Sequence, residues 1–312
     1  MSIEVTYRLA REGDLSAMRL IQSTALHDLV VNRGGRAPAT IPIIDEPSSE
    51  MRHLLRTDPE LAWLAIKDGR PIGISMGFVR SELWFLSDLF VLPHAYGRGV
   101  GAELLRRCLA AGVERGARIR AVASSHDLGA QTLYIRAGMV PRFPLFGIKG
   151  AAGGLSDLPR TRELVKETIR QVEPSKALIR KLGDLDEVIW GWRRYGDHRY
   201  WLGEAGLNCI AILDPPGAIT AYAYFGASGE SRRIGPVAAR SARRQLSLLR
   251  AIGDALNGQA DATVEFRIPG INMTALSALL GGGFRIDHVG QFMASRTFGD
   301  FDRYLPSGGT LL

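Results

Sequence analysis

Apolar and polar residues recur with two different periods along the first half of the chain, and these periods predict strands and helices. A period of two, or a short apolar run, predicts strands at residues 4–9, 61–67, 71–79, 83–91, 118–124 and 143–148. Apolar residues three and four positions apart predict helices that begin near Asp14, Ser48 and Gly101, and another over residues 128–137. Asp68-Gly69, between the second and third strands, is typical of a tight hairpin turn. The first half is therefore expected to be a sheet flanked by helices.

Segments that lack this periodicity set the expected boundaries. Residues 32–47 are rich in Gly, Arg and Pro and predict a long loop, a type of segment that often carries substrate contacts. The glycine-rich run at 150–154 marks a linker, and residues 161–172 predict a helix that bridges to the second half. We expect one domain at residues 1–150, a linker at 151–172 and a second domain at 173–312.

The second half repeats the pattern of the first. At one constant offset, Asp127, Ala130, Tyr134, Gly138 and Met139 correspond to Asn272, Ala275, Leu279, Gly283 and Phe284. The predicted strand pair at 207–213 and 218–225 parallels the first hairpin, residues 233–238 stand where 86–91 stood, and a helix follows over 241–256. This self-similarity predicts a tandem duplication.

Composition limits the class of protein. With 312 residues, 46% hydrophobic and 23% charged, the chain is typical of a soluble globular protein with two domains. No apolar run approaches the ~20 residues that span a bilayer, and the first residues lack the basic and apolar regions of a signal peptide. We therefore expect a cytoplasmic protein. Cys108 and Cys209 are expected to be small buried residues, so neither a disulfide nor a metal site is predicted.

The net charge of +7 and the pI near 9.7 suit an anionic partner. A nucleic acid is disfavoured, because no dense Lys/Arg run is interleaved with aromatic residues. An anionic small molecule would also profit from a positive surround.

A glycine-rich turn between the strand at 83–91 and the next helix is the clearest candidate for binding such an anion. Gly97, Gly99 and Gly101 allow positive φ and close backbone approach. Their N–H groups lie at a helix N-terminus, where the helix dipole favours negative charge, and Arg98 adds a full positive charge. The turn lacks the Gly-Lys-Ser/Thr end of a Walker loop and the spacing of a dinucleotide fingerprint. We interpret it as a pyrophosphate site.

Together with Val91-Leu92-Pro93 before it and Leu104-Leu105 after it, this turn resembles the acetyl-CoA loop of the GNAT acyltransferase family. The family's loop reads Arg/Gln-x-x-Gly-x-Gly/Ala, and Gly99 and Gly101 match its glycines, while Tyr96 stands in the Arg/Gln position. The resemblance implies an α/β (α+β) fold of two tandem GNAT-like domains, each a mixed, mostly antiparallel sheet flanked by helices. It also implies acetyl-CoA (coenzyme A) as the cofactor.

The same resemblance implies which residues bind the cofactor. Main-chain groups of Leu89, Phe90 and Val91 would bind the pantetheine arm. The loop residues that would bind the pyrophosphate are Tyr96, Gly97, Arg98, Gly99, Val100, Gly101 and Ala102. The segment that holds Asp127, Ala130 and Tyr134 resembles the family's Asn-x-x-Ala-x-x-x-Tyr segment, with Asp127 replacing the usual Asn.

Tyr134 and Asp88 are the candidate catalytic residues. A phenol with a pKa near ~10 remains protonated at neutral pH and can protonate a departing thiolate; the alternative for Tyr134 is simple packing on a helix face. A carboxylate in an apolar strand is costly unless it is paired or functional, so Asp88 is a candidate base or ammonium anchor. The alternative is an exposed strand position. Residues 86–91 resemble the Leu-Glu-Asp-Phe-Phe-Val pattern of polyamine acetyltransferases, with Ser87 replacing the Glu. His94 and His126 are further proton-relay candidates.

The second half keeps Asn272 but has Leu279 at the tyrosine position and no glycine turn, so we expect it neither to bind cofactor nor to catalyse. The chain is thus predicted to be an N-acetyltransferase that moves an acetyl group from acetyl-CoA to a primary amine of a small-molecule or peptide acceptor. A monomer or homodimer is expected. Two other classes stay open: a non-catalytic acyl-CoA-binding sensor or scaffold, and a nucleic-acid-associated protein.

Overall fold

The computed structural model describes residues 4–31, 43–159, 168–215, 217–228 and 231–312. Two predicted segments fall partly outside the described residues: positions 32–42 of the loop predicted at 32–47, and positions 161–167 of the predicted linker helix. The described residues form two compact units. The first extends to Val140 and includes Met293–Arg296, and the second comprises Pro141–Phe292 and Thr297–Leu312.

The first unit is a mixed sheet flanked by helices, which confirms the predicted fold class. In chain order it contains β1 (Thr6–Leu9), α1 (Leu15–Val31), α2 (Ser49–Thr57), β2 (Ala62–Lys67), β3 (Arg70–Arg80), β4 (Leu83–Val91), α3 (Val100–Glu114), β5 (Ile119–Ser124) and α4 (Leu128–Arg136). Strands β1 to β4 pair antiparallel in sequence order, and β4 pairs with β5 in parallel. The predicted hairpin is confirmed, because Asp68 and Gly69 have φ of 52° and 73°.

Helices cover both faces of this sheet. Ser75 of β3 donates its hydroxyl to the Leu104 carbonyl of α3 at 3.2 Å. The next residue, Met76, pairs with Asp88 of β4, whose carboxylate bonds to Gln22 of α1. Because successive residues of a strand point to opposite faces, α1 and α3 lie on opposite sides of the sheet.

The second unit repeats this order of elements. It contains β6 (Val140–Ala151, from Pro141), β7 (Thr168–Gln171), α5 (Lys176–Trp190), α6 (Tyr195–Leu202), β8 (Asn208–Leu213), β9 (Ile219–Ser228), β10 (Ser231–Ala239), α7 (Ala242–Ala255), β11 (Thr263–Pro269), α8 (Met273–Gly281), β12 (Arg285–Ala294) and β13 (Tyr304–Leu305). Strands β7 to β10 pair antiparallel, and β10 pairs with β11 in parallel. The helix predicted over 161–172 is wrong for residues 168–171, which pair with β8 as a strand.

Each unit also takes a strand segment from the other half of the sequence. Strand β6 pairs antiparallel with β11 and lies beside β12 in the second unit. The end of β12 belongs to the first unit, where the Ser295 backbone N–H donates to the Arg120 carbonyl at 2.9 Å. Met293 is fully buried there, in an apolar cluster that includes Trp84 and Tyr134.

Cys108 and Cys209 are both buried, as predicted. Across the described ranges, no group of three His, Cys, Asp or Glu residues is arranged to hold a metal ion. No helix within those ranges combines the length and the apolar character needed to cross a membrane.

Candidate active site

Strands β4 and β5 separate halfway along their length. Their parallel pairing runs from Leu83–Ile119 to Leu86–Val122 and, within these two fully described strands, goes no further. The register between β3 and β4 shifts at this point, because Met76 pairs with Asp88 and Gly77 with Leu86, which leaves Ser87 as an extra residue. Such bulges re-aim side chains and end pairing. The edge of Ser87–Val91 that faces β5 is therefore open to a ligand.

The glycine-rich turn follows this open edge and leads into α3. Gly97 and Gly99 have φ of 70° and 80°, a backbone region in which a side chain is strained. A Cβ built at either glycine would meet no atom within 4 Å. Glycine is therefore required by the positive φ and not by lack of space for a side chain. Gly99 is the N-cap of α3 and has no side chain to cap it. The first intrahelical bond runs from the Glu103 backbone N–H to the Gly99 carbonyl at 3.1 Å, so the N–H groups of Val100 and the next two residues have no carbonyl partner within the helix. An anion fits here.

Tyr134 lies on α4, which Asp127 caps: the Ala130 backbone N–H donates to Asp127 Oδ1 at 2.6 Å. The Tyr134 side chain is buried. Burial raises the pKa of the Tyr134 hydroxyl, and the negative charges of Asp127 and Asp88 raise it further. Tyr134 is thus a neutral phenol at physiological pH. Asp88 lies close enough for its negative charge to raise the pKa of that phenol.

Asp88 is 3% exposed, so the alternative of an exposed strand position is wrong. Its Oδ1 accepts a hydrogen bond from Gln22 Nε2 at 2.7 Å, while its Oδ2 has no partner. Burial raises the pKa of Asp88 from 3.8 to about 6, and Glu50 adds to the rise; the Gln22 bond and the Arg19 charge oppose it. The neighbouring Ser87 hydroxyl is also buried without a partner.

The structure thus brings Asp88 and Tyr134 to the point where β4 leaves β5. His94 and His126 are exposed, and no interaction described in the structure links either to Asp88. Gln22, which holds Asp88, was missed by the sequence analysis. Its signal is a polar residue four positions after Met18, on the apolar face of α1 that also carries Leu15 and Ala25.

The corresponding gap in the second unit is filled by the chain itself. Parallel pairing of β10 with β11 is limited to Arg232–Val264 and Arg233–Glu265, and Val237 and Ala238 then pair with Leu305 and Tyr304 of β13. Those two residues of β10 also pair with β9, so β13 occupies the edge that faces β11. A Cβ at Gly235 would come within 2.4 Å of the Pro306 carbonyl oxygen.

The residues that follow β13 are held by a buried polar network. Arg194, which is 3% exposed, donates to the Tyr304 hydroxyl at 3.0 Å and to the Leu312 carbonyl at 2.6 Å. Arg194 Nε donates to Asp186 Oδ2 at 2.8 Å, so the Asp186 carboxylate balances the charge of Arg194. Burial by itself would raise the pKa of Asp186, but Arg194 and His198 hold it low, at about 2.

Comparisons with known proteins agree with this architecture. Residues 35–139 match the sequence profile of the acetyltransferase (GNAT) family. No curated protein sequence matches the chain. A proposed acetyltransferase from Pyrococcus horikoshii superposes with a TM-score of 0.75 at 17% identity, over 99% of this chain and 96% of that one.

Two further solved structures have the same fold over nearly the full length. A GCN5-related N-acetyltransferase from Sphaerobacter thermophilus gives a TM-score of 0.63 at 16% identity, over 95% of this chain and 97% of that one. A tandem GNAT protein from the clavulanic acid biosynthesis pathway gives 0.60 at 14% identity, over 94% and 98%. At these identities the likeness concerns the fold alone.

Proposed function

We propose that this chain is an acetyl-CoA-dependent N-acetyltransferase of the GNAT family, because residues 35–139 match the profile of that family and the fold is similar to that of a tandem GNAT protein. The acceptor is a primary amine of a small molecule or peptide. The first unit carries the reaction, and the second is a degenerate copy that supports it.

The described residues fit coenzyme A. The open N–H groups at the start of α3, with Gly97 and Gly99 around them, suit the pyrophosphate, and exposed Arg98 adds positive charge. The unpaired edge of Leu89, Phe90 and Val91 offers main-chain hydrogen bonds to the pantetheine amides. When bound, the cofactor supplies a thioester-activated acetyl group.

Asp88 is the proposed base. A carboxyl with a pKa of about 6 is ionised at pH 7.5, yet it is basic enough to take a proton from an ammonium held against it. Its unpartnered Oδ2 provides the atom that accepts this proton. The bond from Gln22 holds Oδ1 and thereby orients the carboxylate.

Tyr134 is the proposed acid. Because burial keeps its phenol protonated, it is able to donate a proton to the sulfur as the thiolate departs. Acid and base are thus separate groups, and neither needs to change its resting protonation state at neutral pH to begin a turnover.

The observation that carries this proposal is the separation of β4 from β5 beside the glycine turn, with Asp88 and Tyr134 buried at the separation. The test is release of free coenzyme A thiol from acetyl-CoA with a panel of primary amines, together with calorimetric titration of coenzyme A. We expect one binding site per chain and amine-dependent thiol release. Binding without turnover on any amine would instead favour the sensor, and two sites per chain would contradict the role given to the second unit.

A further inference from the structure

A chain of hydrogen bonds runs from α1 to Asp88 and joins a cation to a carboxylate through a neutral amide. Arg19 Nη1 donates to Gln22 Oε1, and Gln22 Nε2 donates to Asp88 Oδ1 at 2.7 Å. Gln22 itself is 7% exposed. The positive charge of Arg19 acts on Asp88 and lowers its pKa, although the two side chains form no ion pair.

At each end of this series of hydrogen bonds lies a buried polar atom that has no hydrogen-bond partner. Asp88 Oδ2 and Arg19 Nε are both inaccessible to solvent and without a hydrogen-bond partner, as is the Ser87 hydroxyl. A purely structural arginine–aspartate pair would join directly and satisfy both groups with two parallel bonds. Buried polar atoms without partners are costly, and a ligand that bonds to these atoms would remove that cost.

We propose that the acceptor is an aminocarboxylate: its ammonium binds Asp88 and its carboxylate binds the guanidinium of Arg19. This inference rests on the proposed acetyltransferase function and names the class of its acceptor. Arginine suits the second role because its planar guanidinium carries a positive charge and presents donors in the geometry that matches a carboxylate. One amide and two hydrogen bonds separate the two charged groups of the protein. The spacing therefore fits an amine and a carboxylate joined by a short aliphatic chain.

The competing acceptor is a diamine, since Glu50 adds a second negative charge that acts on Asp88. Matched probes separate the two. Thiol release is measured with 4-aminobutanoate, 1-aminopropane and 1,4-diaminobutane, and with the same three end groups on chains one carbon shorter and longer. We expect kcat/KM for the best aminocarboxylate to exceed that of the amine without a second charge by at least about tenfold. Equal rates, or a preference for the diamine, would overturn the inference, and this comparison requires no variant.

Arg19→Gln then assigns the preference to its residue. We expect the variant to lose most of the discrimination between the aminocarboxylate and the plain amine, measured as the ratio of the two kcat/KM values within the same protein. This ratio is unaffected by any change that the loss of the Arg19 charge makes to the ionisation of Asp88. Arg118→Gln is the matched control, because it removes the same charge from an exposed arginine of the same unit and should keep the preference. If Arg19→Gln does not fold, Arg19→Lys retains the charge, and a partial loss of discrimination is expected.

Direct binding keeps this test independent of turnover. Calorimetry of 4-aminobutanoate with the wild-type protein and Arg19→Gln should show binding at least about tenfold weaker in the variant. Absence of thiol release with every amine would refute the proposed function, while this difference in affinity would still stand. Thiol release without carboxylate preference, or equal binding by the two proteins, would refute the acceptor class alone.

Discussion

Burial shifts the pKa of Asp88 and of Tyr134 in the same direction, although the two side chains have opposite proposed roles. Burial disfavours the charged form of each acid and so raises the pKa of both. The pKa of the Asp88 carboxyl begins far below neutrality and rises only to about 6, so Asp88 remains ionised at pH 7.5, as the proposed base must be. The pKa of Tyr134 begins near 10 and is raised further, so its phenol remains protonated, as the proposed acid must be. Such divergent pairs are typical of acid–base sites.

Tyr134→Phe should lower kcat by on the order of 10²–10⁴, the usual contribution of a general acid. The phenyl ring preserves the packing of the buried side chain, so the affinity for coenzyme A should remain close to wild type. The measurement is thiol release at saturating acetyl-CoA, with Tyr7→Phe on β1 as the control. A fall of less than about threefold would make Tyr134 a structural residue.

The pH profile should report Asp88. If Asp88 acts as the base, kcat/KM should rise with pH through an apparent pKa near 6 and level off above it, because only the ionised form accepts a proton. Asp88→Asn should remove that limb and lower kcat/KM by at least about 10². An unchanged acidic limb in Asp88→Asn would assign it to another group.

Although Asp88→Asn should lower activity, it should not lower the free energy of unfolding at neutral pH. A carboxyl whose pKa is higher in the folded than in the unfolded state binds more protons when folded, so the stability that Asp88 contributes falls as pH rises from about 4 to 6. A rise from 3.8 to about 6 corresponds to on the order of 3 kcal/mol. We therefore expect Asp88→Asn to be at least as stable as wild type at pH 7.5 in urea unfolding. Destabilisation by more than about 1 kcal/mol would contradict this account.

At the scale of elements, α3 joins the sheet to the proposed cofactor site. It is 15 residues long, and its N-terminus follows two glycines whose positive φ turns the chain after β4. Gly73 and Gly77 of β3 let α3 pack closely, since a Cβ at Gly77 would come within 3.2 Å of Cys108 Sγ. Close packing keeps the N-terminus of the helix fixed beside the open edge of β4.

Gly99→Glu should abolish coenzyme A binding, because the new carboxylate would lie among the N–H groups that are proposed to bind the pyrophosphate. Gly116→Glu is a matched control at the other end of the same helix. Gly116 is also exposed, has φ of 86°, and its Cβ would meet no atom within 4 Å. Both variants introduce the same charge and similar backbone strain, so calorimetry should show loss of binding only in Gly99→Glu. Equal loss in both would point to a general effect on α3.

At the scale of the whole molecule, the first unit depends on residues from the end of the sequence. Met293–Arg296 belong to it, Ser295 bonds to Arg120 in both backbone and side chain, and buried Met293 packs in the cluster that holds Tyr134. A part of the proposed site is therefore supported by a segment more than 150 positions away in sequence.

Deletion of residues 173–312 should leave a first half that aggregates or is inactive, since it loses Met293–Arg296 and exposes an edge of β5. Size-exclusion chromatography and thiol release measure the two outcomes. A soluble, fully active fragment 1–172 would refute this dependence.

Asn272→Ala tests whether the second unit takes part in the chemistry. Asn272 caps α8 through the Ala275 backbone N–H at 3.1 Å and donates to Gln245 at 3.0 Å, so its loss should cost about 1–3 kcal/mol of stability. We expect kcat and the affinity for coenzyme A to stay within about twofold of wild type. A large loss of activity in the folded variant would move chemistry into the second unit.

Local sequence determined the glycine turn and most of the elements, although it predicted a helix at residues 168–171, which form a strand. The positive φ of Gly97 and Gly99, the cap at Asp127 and the hairpin at Asp68-Gly69 all depend on residues within a few positions of one another. Periodicity likewise predicted β4 and the helices around it, because a face that packs on a core must repeat with the geometry of its own element.

Tertiary structure alone decided the surroundings of Asp88 and the pairing of distant strands. Gln22, which orients Asp88, lies 66 positions away. No local pattern predicts that β6 joins the second unit while the end of β12 joins the first. Nor does any local pattern predict that β13 fills the gap between β10 and β11. An apolar strand has the same alternation whichever sheet it joins, so its partner depends on which backbone edge remains unpaired and which surface remains uncovered once the other elements have packed.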